Sequence, residues 1–283
     1  MPLIVKTASV TIDDNRLSYW EAGEGRPLAM LHGNPGTKDD FLKVADGLVK
    51  QGWRCLSFDR PGHGNSEEAL GDSPDPWIDA DILGQAIKKI AQGPAILVGY
   101  SLGSFTALKV ALKHPDAVSG LALISPFLQP RDPNEAISSI PSLSKGYFFR
   151  SIFGIALPFL ARGKMRQHLT NVYLPQAISE SVLEEELSRY TMFEIMLSTL
   201  HDKNELISIF ESVHQRLAEI KVPCLMIGGG KDLISDMAVQ ENVLSRIAGL
   251  EKGMIDGEGH GLPFTAAEKV FDAIGKKFGS PTR

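Results

Sequence analysis

The sequence predicts an α/β fold: a mostly parallel, eight-stranded sheet with helices on both faces and a helical insertion over one edge. Three observations predict it. Short apolar runs alternate with amphipathic helical patterns in both the first and the last parts of the chain. From Ser125 to Leu217 that alternation gives way to helical periodicity with no strong strand signal. One apolar run, Pro94 to Val98, passes through Gly99-Tyr100-Ser101-Leu102-Gly103 directly into a helical pattern. The core is therefore assigned to residues 1–125 and 218–283, and the helical insertion to residues 126–217.

Val10 to Ile12 and Arg16 to Glu21 read as a hairpin around Asp13-Asp14-Asn15, with period-two alternation through Leu17 and Tyr19. Pro27 to Leu31 is a buried strand ending at His32-Gly33-Asn34-Pro35-Gly36. The helix after it puts Phe41, Val44, Ala45, Leu48 and Val49 on one face and stops at Gly52. Arg54 to Phe58 is a strand leading into Asp59-Arg60-Pro61-Gly62-His63-Gly64-Asn65-Ser66, which glycine and proline mark as loop. A helix from Trp77 to Ala91, the strand Pro94 to Val98, a helix from Leu102 to Lys113 and a strand from Val118 to Ile124 follow. Beyond the insertion come a strand at Pro223 to Gly228, a helix near Met237 to Ala248, a strand at Gly253 to Ile255 and a last helix from Phe264 to Lys277.

With 283 residues, 43% of them hydrophobic, the chain can bury one sizeable core. A formal charge of -5 and the lack of any long basic run argue against nucleic acid as a partner. Met1 to Asp14 has no charged start followed by a long apolar stretch, and Ile152 to Ala161 falls short of the ~20 apolar residues a membrane span needs. A cytoplasmic protein without stable membrane insertion is expected, its oligomeric state left open. Cys55 and Cys224 lie in strand-like runs and read as core thiols. Neither H-E-x-x-H nor C-x-x-C occurs, so no metal and no cofactor are expected.

The strand-to-helix placement of Gly99-Tyr100-Ser101-Leu102-Gly103 makes Ser101 the candidate nucleophile: a serine on a sharp turn projects its hydroxyl above the sheet, and the flanking glycines permit close backbone approach. A serine hydroxyl needs a base, and the base needs a third group to orient it. Of the seven histidines, His32 and His63 lie in glycine-rich turns, His114 ends a helix, and His168, His201 and His214 fall in the insertion. His260, in Gly257-Glu258-Gly259-His260-Gly261 after the last strand, is the candidate base. Asp232, after the Gly228-Gly229-Gly230 run, is the candidate acid, with Asp236 and Asp256 as rivals. The backbone N–H groups of Leu102 and Asn34 are the candidate oxyanion donors.

Taken together, His32-Gly33-Asn34-Pro35-Gly36, the Asp59 to Ser66 loop, Gly99 to Gly103, Asp232 and Gly259-His260 resemble the α/β-hydrolase family. The likeness is strongest to the branch holding esterases, cofactor-free haloperoxidases, epoxide hydrolases and haloalkane dehalogenases. It implies an α/β-hydrolase sheet, a cap domain at the insertion, and a structural role for the Asp59 to Ser66 loop. Dehalogenases and epoxide hydrolases of that branch use aspartate where this chain has Ser101, and serine attacking an alkyl carbon would leave an unhydrolysable ether.

The substrate should therefore carry a carbonyl, and hydrolysis of a small ester with an apolar acyl group is the expected reaction. Perhydrolysis, cleavage of a carbon–carbon bond in a dienoic ketone, and non-catalytic recognition of a small ligand are the alternatives. Tyr100, Phe149, Phe153, Phe159, Met192 and Met196 are the candidate substrate contacts.

Overall fold

The computed structural model describes residues 3–67, 75, 77–129, 162–190 and 209–279. The sheet starts with a hairpin, β1 (Lys6–Ile12) and β2 (Asn15–Ala22), paired antiparallel from Lys6 with Glu21 to Ile12 with Asn15. Only Asp13 and Asp14 form the turn, at φ 44° and 66°. Two consecutive positive φ values give a connection whose twist matches the strands, and aspartate tolerates that region. Asn15, expected in the turn, is the first rung of the ladder, and its side chain donates back to Asp13 O.

The remaining strands are β3 (Arg26–Leu31), β4 (Trp53–Phe58), β5 (Ala95–Tyr100), β6 (Val118–Ile124), β7 (Cys224–Gly229) and β8 (Glu251–Ile255). The spatial order is β1-β2-β4-β3-β5-β6-β7-β8, parallel from β4 onward. This is the mostly parallel eight-stranded sheet the sequence predicts. The chain moves from β3 outward to β4, then returns across β3 to β5. The carboxyl ends of β3 and β5 therefore diverge at a switch point, where an open α/β sheet leaves a crevice.

Residues alternate between two cores, which is why strands buried on both sides read as continuous apolar runs. Ile96, Val98 and Tyr100 join Trp20, Met30 and Phe41 beneath α1 (Leu42–Lys50), α8 (Leu262–Thr265) and α9 (Ala267–Phe278). Ala95 and Leu97 join Leu31, Phe58 and Leu123 beneath α2 (Ile78–Ala91) and α3 (Leu102–Lys113). The single last helix expected from the sequence is in fact two, because the chain leaves helical geometry at Ala266, φ -137°. In the insertion, α4 (162–173) and α5 (Glu180–Tyr190) share a small core of Leu169, Leu183, Leu187 and Tyr190. Residues 209–216 form α6, which adds Ile209, Phe210 and Val213 to the α2–α3 side, and α7 (Met237–Leu244) adds Val243 and Leu244.

Cys55 on β4 and Cys224 on β7 are buried free thiols separated by β3, β5 and β6. Burial pushes both thiols up, that of Cys224 to about 12, as inert core groups. Among the described residues no helix is long and apolar enough to cross a membrane.

Candidate active site

Ser101 stands between β5 and α3 at φ 51°, ψ -120°, a conformation costing a non-glycine residue about 1–3 kcal/mol. Its surroundings hold it there. Ser101 N–H donates to Ile124 O at 2.9 Å, and Ser101 O accepts from Ser104 N–H and Phe127 N–H at 3.0 and 3.1 Å. The glycines on each side are dictated by crowding. A Cβ at Gly99 would lie 2.5 Å from Gly103 O, and one at Gly103 would fall on Leu31 O of the neighbouring strand.

Ser101 Oγ lies 3.0 Å from His260 Nε2, and His260 Nδ1 lies 2.8 Å from Asp232 Oδ2. The His260 and Asp232 side chains are 3% and 1% exposed. Asp232 is oriented by its own turn, with Oδ1 accepting from Ile234 N–H and Ser235 N–H, both at 2.8 Å. Its second oxygen is left to face the imidazole. A carboxylate can only accept, so Nδ1–H donates to Asp232 and Nε2 is left to accept from the serine hydroxyl. The rivals stand elsewhere: Asp236 caps α7 through Ala238 N–H and Val239 N–H, and Asp256 is exposed beyond β8.

The loop after β3 passes directly over the serine. A Cβ at Gly33 would lie 3.2 Å from Ser101 Cβ, so the half-buried Asn34 is the residue following the point of contact. Arg60 braces this loop from the β4 side. Its N–H donates to His32 Nε2 at 3.0 Å and its Nη2 donates to Gly33 O at 3.0 Å. Because a backbone N–H only donates, His32 carries its proton on Nδ1, which donates to Gly33 O at 2.8 Å. The same reasoning fixes His63, whose Nε2 accepts from Arg60 Nη2 at 3.2 Å and whose Nδ1 donates to Pro61 O at 3.0 Å. Leu102, at the start of α3, is buried beside Ser101. Tyr100 is 4% exposed in the core, its ring 5.5 Å from that of His260 and 5.9 Å from that of Phe264. Phe149, Phe153, Phe159, Met192 and Met196 lie outside the described residues.

Two links at the site carry no sequence signal. Glu258 accepts from Gln176 of the insertion, and Asp40 Oδ1 accepts from Tyr190 Oη at 2.8 Å. Each joins segments far apart in the chain, and only a known contact between them could have revealed it. Burial pushes the Asp40 carboxyl up to about 8, with Glu186 adding to the rise and the Tyr190 hydroxyl and Arg189 guanidinium opposing it.

A carboxyl raised in the folded state keeps its proton where the unfolded chain, near 3.9, has lost it. Its contribution to stability is therefore complete below about pH 4 and is lost progressively as pH rises to about 8. Asp40→Asn, neutral throughout, is expected to flatten the dependence of the melting temperature on pH over that window and to raise it at pH 8, by about 2–4 °C per kcal/mol recovered. Calorimetry at graded pH checks this, and parallel curves for the two proteins would refute it.

A model of the α/β-hydrolase fold matches residues 26–267, most of the chain. The chain belongs to the α/β-hydrolase fold family. Within this α/β-hydrolase's similarities, a 2-hydroxy-6-oxononadienedioate/2-hydroxy-6-oxononatrienedioate hydrolase of Burkholderia vietnamiensis is 25% identical over 90% of this chain and 88% of its own. Human monoacylglycerol lipase ABHD6 is 27% identical over 88% of this chain and 76% of its own. The structure of an esterase from Exiguobacterium antarcticum superposes with a TM-score of 0.74, at 21% identity and with 98% of each chain covered. The chain is an α/β-hydrolase whose relatives in sequence are hydrolases. Among its described residues, no group of three or more His, Cys, Asp and Glu is placed to hold a metal ion.

Proposed function

We propose that this α/β-hydrolase cleaves a small carboxylic ester with an apolar acyl group through an acyl-enzyme intermediate. The observation that carries the reading is the unbroken hydrogen-bonded line from Asp232 through His260 to Ser101 Oγ, on a serine whose backbone is held at positive φ. In the proposed cycle Ser101 Oγ attacks the carbonyl carbon while His260 Nε2 takes its proton, and Asp232 stabilises the imidazolium. The oxyanion is received by the N–H groups of Leu102 and Asn34. His260 returns the proton to the leaving alcohol, and water, deprotonated by the same imidazole, releases the acid and restores Ser101. Residues 126–217 are read as the cap, and the substrate as a small molecule. The likeness to a monoacylglycerol lipase supports an ester.

A second reading is hydrolysis of a carbon–carbon bond in a dienoic ketone, favoured by similarity to the hydroxy-oxononadienedioate hydrolase. Steady-state hydrolysis of p-nitrophenyl esters of graded acyl length, run beside a 2-hydroxy-6-oxo-dienoate, separates the two. Turnover peaking at one acyl length is the expected result. Turnover of the dienoate with none on any ester would replace the first reading by the second.

A further inference from the structure

His260 sits in a loop with glycine at 257, 259 and 261, and such a backbone does not hold a side chain to the ~0.5 Å that proton transfer demands. The loop is instead held from outside. Gly261 N–H donates to Val172 O at 2.9 Å, Leu174 O lies where a Cβ on Gly259 would stand, and Gln176 Nε2 donates to Glu258 Oε2 at 2.5 Å. Val172, Leu174 and Gln176 are alternate residues at the end of α4 and in the connection to α5, so three successive points of the insertion meet three points of the loop.

Glu258 is the residue on which these contacts converge. Its carboxylate is 8% exposed as part of the residue and is shared by Gln176, Thr265 Oγ1 at 3.2 Å and Lys269 Nζ at 3.1 Å. Its carbonyl accepts from Lys231 N–H at 2.8 Å, one residue before Asp232. One side chain and its backbone therefore tie together the loop of the acid, the loop of the base, the helix after it and the insertion. Charge-assisted hydrogen bonds of this kind fix direction as well as distance.

We infer that Glu258 is a positioning residue for His260 and that it acts by gripping Gln176, which makes residues 172–176 a fixed clamp on the base. The inference rests on the reading of Ser101 as nucleophile and His260 as base. It follows that this part of the insertion cannot swing away from the core without releasing the imidazole.

The test compares the full-length protein with Gln176→Ala, Glu258→Ala and Glu258→Gln. It reads the rate of Ser101 phosphonylation by a fluorophosphonate, kcat and KM for a p-nitrophenyl ester, and thermal melting. A small displacement of a base set by remote residues costs up to about 100-fold, so both alanine variants should lose about 10- to 100-fold in phosphonylation rate and kcat, with KM little changed. Glu258→Gln, whose amide oxygen at the Oε2 position still accepts from Gln176 and Thr265 while only the Lys269 contact is given up, should regain most of the loss. Folded alanine variants that react at the wild-type rate, or a loss confined to KM, would overturn the clamp. Should Glu258→Ala not fold, the half-buried Gln176 decides the matter through its own variant. Failure of the wild-type protein to be labelled at Ser101 would defeat the nucleophile reading and the clamp with it. Equal labelling of wild type and variants would defeat the clamp alone.

Discussion

Ser101→Ala is expected to lower kcat for ester hydrolysis by about a million-fold while leaving the fold intact. The size follows from the way a nucleophile and its base act as one unit. Removing the hydroxyl leaves His260 with nothing to deprotonate, and water in its place lacks the serine's fixed position 3.0 Å from Nε2. Methyl for hydroxymethyl is tolerated sterically, because the positive φ at this position is held by Ile124 O, Phe127 N–H and Ser104 N–H through backbone groups that alanine retains. Asp232→Asn should cost less, about 10⁴-fold, since the amide can keep its turn hydrogen bonds to Ile234 and Ser235 but presents the wrong partner to Nδ1–H. Single-turnover and steady-state rates on the best p-nitrophenyl ester measure both. Activity within tenfold of wild type in Ser101→Ala would refute the mechanism.

How far the sequence could be read depended on how local the determining interactions are. β5, Ser101 and α3 are contiguous, and the crowding that demands Gly99 and Gly103 arises within that short stretch and its neighbouring strand, so the elbow is visible as text. Asp232 and His260 are each announced by a glycine-rich segment after a strand, because loops that cross at close range require glycine: a Cβ at Gly229 would fall on Gly259 O. The strands and helices of the core are legible for a similar reason, since their apolar faces are set by one sheet.

Other features were hidden because they join segments with no shared pattern. His32, read from the sequence as part of a tight turn, is also the acceptor for Arg60 N–H. His114, read as a helix end, bonds Asp81 on the adjacent helix at 2.8 Å. The Asp40–Tyr190 and Glu258–Gln176 links connect the core to the insertion, where helical periodicity says which residues face inward but not what they meet.

The same hidden class of interaction gives the largest expected effect on stability, at Asp59. This carboxylate is fully buried at the end of β4, and Lys38 reaches it from the loop that follows β3, with Nζ 2.6 Å from Oδ2 and side-chain exposures of 8% and 0%. Oδ1 also accepts from Lys38 N–H at 2.8 Å, and Oδ2 from Asn65 N–H at 3.0 Å. Lys38 O, in turn, accepts from Trp20 Nε1 and Ser57 Oγ, fastening that residue to β2 and β4.

Deleting one partner strands the other charge in a site closed to water, so Asp59→Ala should destabilise the fold by about 3–5 kcal/mol in denaturant titration. The largest cause would be the orphaned ammonium, beside the Lys38 and Asn65 N–H groups that lose their acceptor, and this has a checkable consequence. Adding Lys38→Met to Asp59→Ala should recover part of the loss, because an apolar chain of similar length needs no counter-ion. A loss below about 1 kcal/mol in the single variant would mean that Lys38 finds solvent, and the pair would then be no more than a surface salt bridge in its energetics. Because Lys38 follows His32-Gly33-Asn34-Pro35-Gly36 so closely, a folded Asp59 variant should also lose kcat, through slack in the loop that lies against Ser101.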